Sequence, residues 1–203
     1  MNDHYYTKAP QSKHDPREFT AVLRGREYTF QTDAGVFSRT EIDKGTQLLI
    51  DSLLCEPGDK VLDLGCGYGP IGVVVAAMVG PEGHVYLTDI NQRAVELAQA
   101  NLRRNGFTNA TVLGGEDETV WPDEPLDWVI SNPPIRAGKA VVYGLMEEAY
   151  NRLAPSGGLM VVIRTKQGAA SLEKHLMSLF GNCATIARGS GFRVFMCRKH
   201  LHS

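Results

Sequence analysis

Val61-Leu62-Asp63-Leu64-Gly65-Cys66-Gly67-Tyr68-Gly69-Pro70-Ile71-Gly72 reads as a strand, a glycine turn and the start of a helix in direct succession. Its glycines permit positive φ and let a ligand approach the backbone. Outward from this stretch, short apolar runs alternate with helical patterns. The strands are predicted at 60–65, 84–89, 110–114, 126–131, 158–164, 183–188 and 192–198. Helices are predicted near 70–79, 91–105, 139–153 and 168–180. Such alternation implies an α/β fold, a parallel sheet covered by helices on both faces. Only Gly189-Ser190-Gly191 separates the last two strands. A link that short makes a hairpin but no crossover, so the final strand should run antiparallel.

Upstream, Thr20 to Leu23 and Glu27 to Thr32 alternate around Arg24-Gly25-Arg26, a hairpin pattern. Asp43 is placed to cap a helix running through Leu48, Leu49, Ile50, Leu53 and Leu54, ended by Pro57-Gly58. Residues 1–55 therefore read as an arm or lid on a unit formed by 56–203, within a single domain. The sequence shows no repeat and no low-complexity segment.

Taken literally, Gly67 to Gly72 matches GxGxxG, and Asp89 follows at about the 20-residue distance of a dinucleotide site. A lone match of this kind discriminates poorly, and Asp63 argues against it. A carboxylate at the end of the strand would repel a pyrophosphate. It suits the ammonium end of a methionine-like ligand, and S-adenosylmethionine combines that ammonium with a sulfonium and no phosphate. Asp89 can accept from both ribose hydroxyls under either reading, so it does not separate them. Cys66 has no accompanying His and reads as a loop filler rather than a nucleophile.

The second informative stretch is Ser131-Asn132-Pro133-Pro134-Ile135, which follows the apolar run Leu126-Asp127-Trp128-Val129-Ile130. An Asn side-chain oxygen and a proline-fixed carbonyl then sit where a buried strand opens into a loop. Two acceptors with no nucleophile and no metal ligand suit a planar amino group, which offers two N–H donors. The competing reading is a turn that merely ends the strand.

Composition sets the frame. The 203 residues, 43% hydrophobic and 22% charged, are ordinary for one globular domain. No apolar run approaches the ~18 residues of a membrane span. The N-terminal residues lack the basic head and apolar stretch of a secretory signal. Cys55, Cys66, Cys183 and Cys197 show no close spacing, which argues against structural zinc and a disulfide framework and for a cytoplasmic setting. The net charge of −2 conceals an asymmetry: +1 over residues 1–31, −9 over 32–163 and +6 over 164–203. The basic last fifth (Arg164, Lys166, Lys174, Arg188, Arg193, Arg198 and Lys199) suits phosphates, or else is a solvated face balancing the acidic middle.

The Asp-x-Gly-x-Gly-x-Gly loop, the acid ending the second strand and Asn-Pro-Pro-Ile after the fourth resemble class I S-adenosylmethionine-dependent methyltransferases of exocyclic amines. The upstream stretch Phe30-Gln31-Thr32-Asp33-Ala34-Gly35-Val36-Phe37-Ser38, followed by Ile42-Asp43-Lys44-Gly45-Thr46-Gln47-Leu48-Leu49-Ile50, narrows this. It is similar to the catalytic half of bacterial small-subunit (16S) ribosomal RNA guanine-N2 methyltransferases and to short stand-alone relatives. The likeness covers roughly residues 5–199. It implies a Rossmann-like seven-stranded sheet and S-adenosylmethionine as cofactor, held by Asp63, Gly65, Gly67, Gly69, Asp89, Ile90, Glu116 and Asn132. It implies catalysis by Asn132, Pro133 and Pro134, and no metal. Phe37, Ile135, Arg136 and Lys139 would face the substrate, with ribosomal RNA or the small ribosomal subunit as partner. Thr46 and Asp43 either close the donor pocket from the arm or simply cap a helix.

Two departures stand out. Two-part members of that family carry an N-terminal methyltransferase-like half that helps bind substrate, for which this sequence has no counterpart. Many relatives also place an aromatic residue after Asn-Pro-Pro, where Ile135 cannot stack, so Phe37 or Tyr68 would have to help. Rival functions remain open at this level: a protein glutamine or nucleic-acid adenine methyltransferase, a non-catalytic RNA- or adenosyl-binding assembly factor, and a nicotinamide oxidoreductase. The last leaves Asn132 without a role.

Overall fold

The computed structural model describes residues 13–36, 38, 40–115 and 119–200. The described chain opens on an antiparallel hairpin, β1 (Arg17–Leu23) and β2 (Arg26–Thr32), and continues into helix α1 (Lys44–Asp51). Next come β3 (Lys60–Leu64), α2 (Pro70–Val79), β4 (His84–Asp89), α3 (Gln92–Arg104) and β5 (Ala110–Gly114). The second half runs β6 (Leu126–Ser131), a 3-10 turn at Ile135–Ala137, α4 (Lys139–Arg152), β7 (Leu153–Arg164), α5 (Ala169–Phe180), β8 (Ala184–Gly189) and β9 (Phe192–Arg198). Phe37 and Glu116 lie outside the described residues.

Strands β3 to β9 form one sheet in the order β5-β4-β3-β6-β7-β9-β8. β9 runs antiparallel to both of its neighbours, and the other pairs are parallel. This is the Rossmann-like sheet expected from the alternation, with its antiparallel last strand inserted beside β7. The order reverses between β3 and β6, and ligands of open α/β sheets bind at the carboxyl ends on either side of such a reversal. Leu64 pairs with Ser131 across that point. The next residues along the two strands, Gly65 and Asn132, are therefore neighbours, at about one interstrand spacing of ~4.8 Å.

Strand alternation sorts the core into two layers. Val61 faces the layer of Leu49, Val73, Val74 and Ala98, from α1, α2 and α3. Leu62 and Leu64 face Val142, Met146, Leu172 and Leu176, from α4 and α5. The arm is fastened by side chains that act as backbone mimics. Asn101, fully buried on α3, accepts from Gln31 N at 2.7 Å and donates to Gln31 O at 2.9 Å and to Tyr68 O at 2.8 Å. One turn on, Asn105 does the same for Thr29 N and O, at 3.1 and 2.9 Å. The free edge of β2 is thereby paired, which removes an exposed template for another strand.

Two boundaries differ from the sequence reading. α1 ends at Asp51 and does not run on to Leu54. Its last carbonyls, Ile50 O and Asp51 O, accept from the Arg24 guanidinium at 3.1 and 3.2 Å, a cap delivered by the hairpin turn. β7 begins at Leu153, which pairs with Leu126 on β6, while bonds from Ser156 N to Lys199 O and from Lys199 N to Gly157 O extend the β9 side of the ladder to Ser156.

Candidate active site

The glycine loop is cross-braced by two carboxylates. Asp63 Oδ2 accepts from Gly72 N at 2.8 Å, and Asp89 Oδ2 accepts from Gly67 N at 2.9 Å. Both anions thus sit against the start of α2 and its loop, where partial positive charge gathers. Gly67 and Gly69 hold φ of 57° and 92°, which side chains with a Cβ rarely adopt. Asp63 is 1% exposed, and its Oδ1 has no hydrogen-bond partner among the described residues. Burial pushes its carboxyl up to about 7, the Gly72 N–H opposing and the Asp89 charge adding. Asp63 thus lies beneath the loop rather than on its open face. Cys66 is buried with its thiol pushed far above the ordinary range, first by burial, and it donates to Gly67 O at 3.4 Å. That suits a filler and not a nucleophile.

Asn132 is held from the arm. Its Nδ2 donates to Thr46 Oγ1 at 3.0 Å, leaving Oδ1 as the acceptor to be used. Thr46 is fixed in turn because Asp43 caps α1, accepting from Gly45 N at 2.9 Å and Thr46 N at 3.3 Å. Ser131 Oγ donates to Leu64 O at 2.9 Å and ties the end of β6 to the end of β3. Beyond Asn132, Ile135 N bonds to Pro133 O at 2.9 Å around Pro134, whose φ of −74° and ψ of 77° make an inverse γ-turn. The Pro133 carbonyl keeps its second lone pair.

Two hollows meet here. One, of about 160 Å³, is lined by Asp89, Ile90, Pro134, Val141 and Leu145, a mostly apolar slot with one anion. The other, of about 260 Å³, runs from Gly67 and Thr46 past Pro133 to Arg136 and Phe192. Gly65 and Asn132 line both. Of the residues singled out from sequence, Gly65, Gly67, Asp89, Ile90, Asn132, Pro133, Pro134, Ile135 and Arg136 line one or other hollow. Gly69 and Asp63 stand behind the loop. Lys139 lines neither hollow and instead has its ammonium 5.1 Å from the Tyr143 ring centroid. Tyr68 borders the larger hollow, but the residue is only 3% exposed and its ring packs against Phe19 and Phe30, at centroid distances of 6.1 and 5.8 Å.

The far wall was not foreseen. It consists of Arg164, the last residue of β7, Gln167 just beyond it, and Phe192, the first residue of β9. Arg164 and Phe192 are register partners, and the guanidinium lies over the ring at 4.7 Å. The ring is seated on Gly45, where a Cβ would come within 2.7 Å of Phe192 Cε1. The available signal was position: both residues end or begin strands at the carboxyl edge of the sheet, where ligands collect.

A cationic, adenosine-bearing ligand fits these hollows. The apolar slot with Asp89 at one end suits a ribose and a base. The buried, unpartnered Asp63 oxygen under Gly65 suits a positive charge above the loop. Among the described residues there is no group of three metal-ligating side chains, and no helix is long and apolar enough to cross a membrane.

Comparison with known proteins agrees with this geometry. The methyltransferase small domain family matches residues 27–196. The uncharacterized protein YbxB of Bacillus subtilis is 38% identical over 202 residues, covering 98% of this chain and 100% of its own. The ribosomal RNA small subunit methyltransferase C of Pseudomonas aeruginosa is 34% identical over 170 residues, covering 81% of this chain and 49% of its own. The chain thus spans about half the length of that relative. The structure of the T. thermophilus 16S rRNA N2 methyltransferase in complex with AdoMet and guanosine superposes with a TM-score of 0.80 at 27% identity, over 94% of this chain and 52% of that one. With its glycine loop, its Asp89 and its Asn-Pro-Pro turn meeting at one crevice, the chain belongs to the methyltransferase small domain family of S-adenosylmethionine-dependent methyltransferases.

Proposed function

We propose that this protein transfers a methyl group from S-adenosylmethionine to the N2 amine of guanine in ribosomal RNA of the small subunit, in the cytoplasm. The observation that carries the reading is the orientation of Asn132: with Nδ2 donated to Thr46, its oxygen is free where the two hollows join. The relatives that act on ribosomal RNA, and the T. thermophilus structure solved with guanosine, support guanine as the target.

Bound S-adenosylmethionine supplies an electrophilic methyl group on a sulfonium. Gly65 and Gly67 would give its amino-acid end a close backbone surface, with Asp63 countering the positive charge from below. Asp89 would accept from the ribose, and Ile90 would pack on the base. A guanine amine is a poor nucleophile because its lone pair is delocalised into the ring. Asn132 Oδ1 and the Pro133 carbonyl each accept one of its N–H bonds, which favours a pyramidal nitrogen with its lone pair directed along the crevice. The same acceptors stabilise charge developing on nitrogen, an effect of ~3 kcal/mol for a well-placed group. Pro133 and Pro134 keep the acceptors in place, so little ordering entropy is lost. No base is required, since the methylated nitrogen is acidic enough to release its proton to water.

Residues 1–55 act in this reading as a lid over the catalytic unit, reaching the crevice through Ser38, Asp43 and Thr46. Pro133, Ile135 and Arg136 form the substrate wall nearest the reacting amine.

The test is labelled methyl donor incubated with small ribosomal subunits, naked ribosomal RNA and cell protein, followed by nucleoside and amino-acid analysis, with Asn132→Ala as control. Label in N2-methylguanosine is expected. Label in methylglutamine or methyladenosine would replace guanine as the target, and no transfer at all would refute the enzymatic reading.

A further inference from the structure

The cations of the basic last fifth of the chain meet different fates. Arg198 has its guanidinium 4.0 Å from the Trp128 ring centroid and donates to Ser156 O at 3.1 Å. Lys199 donates to Tyr150 O and Leu153 O at 2.9 and 2.8 Å, and Arg193 pairs with Glu173 at 3.7 Å. Those cations are spent on the fold. Arg164 is different: it is exposed, lines the larger hollow, and has no hydrogen bond or carboxylate partner among the described residues. Arg136, on the 3-10 turn after Asn-Pro-Pro, shares all three properties.

The two arginines line the same hollow from the ends of adjacent strands, one following β6 and the other ending β7. The cofactor half of the crevice lies over β3 and β4, about two interstrand spacings or ~10 Å from β7. Arg164 is thus on the substrate side. Its guanidinium is backed by Phe192, which Gly45 seats, so its position is set before anything binds. A planar, pre-positioned, unpaired guanidinium is suited to bidentate phosphate contact.

Building on the guanine reading, we infer that Arg136 and Arg164 are a phosphate clamp that grips the RNA backbone on the two sides of the target nucleotide. Recognition of the polymer then comes from backbone contacts at the mouth, and the amine is read by Asn132 within. The clamp explains how a chain of net charge −2 engages a polyanion: the cations that matter are two, and they stand unpaired at the mouth. Arg164 takes the place that the sequence reading gave to Lys139, which lines neither hollow.

The test is equilibrium binding of a short fluorescent single-stranded RNA containing guanine, measured by anisotropy over a series of salt concentrations. Affinity for S-adenosylmethionine is measured in parallel by calorimetry. In Arg136→Gln/Arg164→Gln, RNA affinity at low salt should fall at least tenfold. The slope of log K against log salt should shrink by about 1.4, since each phosphate contact on a single strand contributes ~0.7. Cofactor affinity should be unchanged, and Lys174→Gln, which removes an exposed cation on α5, should leave the slope as it was. An unchanged slope in the double variant would overturn the clamp, as would an equal loss of cofactor affinity. The readout is independent of turnover. Wild-type protein that binds RNA with the stated slope yet transfers no label to guanine leaves the clamp standing and removes the guanine assignment.

Discussion

Asn132 Nδ2 donates to Thr46 Oγ1 at 3.0 Å, a bond between the reacting loop and the first turn of α1, 86 residues apart in sequence. The amide has two ends, and this contact decides which one the substrate meets. Thr46 is a positioning residue that acts through Asn132. Thr46→Val, which keeps the shape and removes the hydroxyl, should lower kcat about tenfold with little change in KM or donor affinity, about 1.4 kcal/mol of barrier. Thr46→Ser should restore most of the rate. A merely structural role would instead lower thermal stability and leave kcat per folded molecule intact.

Asp63 makes donor binding depend on pH. Its carboxyl titrates near 7 in the ligand-free protein because burial disfavours the anion. A cation held above Gly65 favours that anion, so binding expels a proton below this pH. Affinity for S-adenosylmethionine should therefore rise from pH 6 to pH 7.5 and level off above 8, and the dependence should vanish in Asp63→Asn. Calorimetry in buffers of different ionisation enthalpy measures the proton directly.

The same group sets a stability trend of definite sign. The folded pKa is raised above that of the unfolded chain, so the fold binds the extra proton between about pH 4 and 7. Its contribution is present in full at low pH and is lost as pH rises through about 7. Asp63→Asn should therefore gain on the wild type in urea denaturation between pH 5 and 8.

Asn101 completes the arm. Replacing it with Leu leaves Gln31 N, Gln31 O and Tyr68 O without their partner. The expected loss is about 3 kcal/mol in chemical denaturation, since each buried unsatisfied group costs ~1–3 kcal/mol and water reaches some of them. Asn105→Leu, which strips Thr29 in a less buried place, should cost less.

Gly45→Ala tests the seat of Phe192. A methyl group would come within 2.7 Å of the ring, so the ring and the guanidinium above it must shift. KM for RNA should rise several-fold while donor affinity stays constant, as titration of each ligand against the variant would show.

The sheet was legible because its signals are local: the apolar runs of β3 to β9, the glycine loop and the three-residue link that forces β9 antiparallel. Asp89 and Asn132 were legible because each ends a strand. Other features depend on contacts between distant segments. No local pattern distinguishes Thr46 as a helix-cap neighbour from Thr46 as the partner of Asn132. Asn101 and Asn105 carry no local signal, because their task of completing the edge of β2 exists only once the hairpin has docked on α3. Arg164 and Lys139 both read in sequence as cations suited to phosphate or substrate, and only their places in the fold, one lining the crevice and the other outside it, tell them apart. Cys183 and Cys197, too far apart in sequence to suggest a relation, come close enough for each thiol to shift the other's acidity, and both remain free.

The most direct measurement is the single-turnover rate of methyl transfer to guanine-containing RNA by wild type and Asn132→Ala, with donor affinity measured on the same preparations. Loss of the amine's acceptor should slow transfer by about 100-fold or more while the dissociation constant of S-adenosylmethionine stays within about twofold. Transfer at the wild-type rate would contradict the assignment of Asn132 as the group that holds the reacting amine.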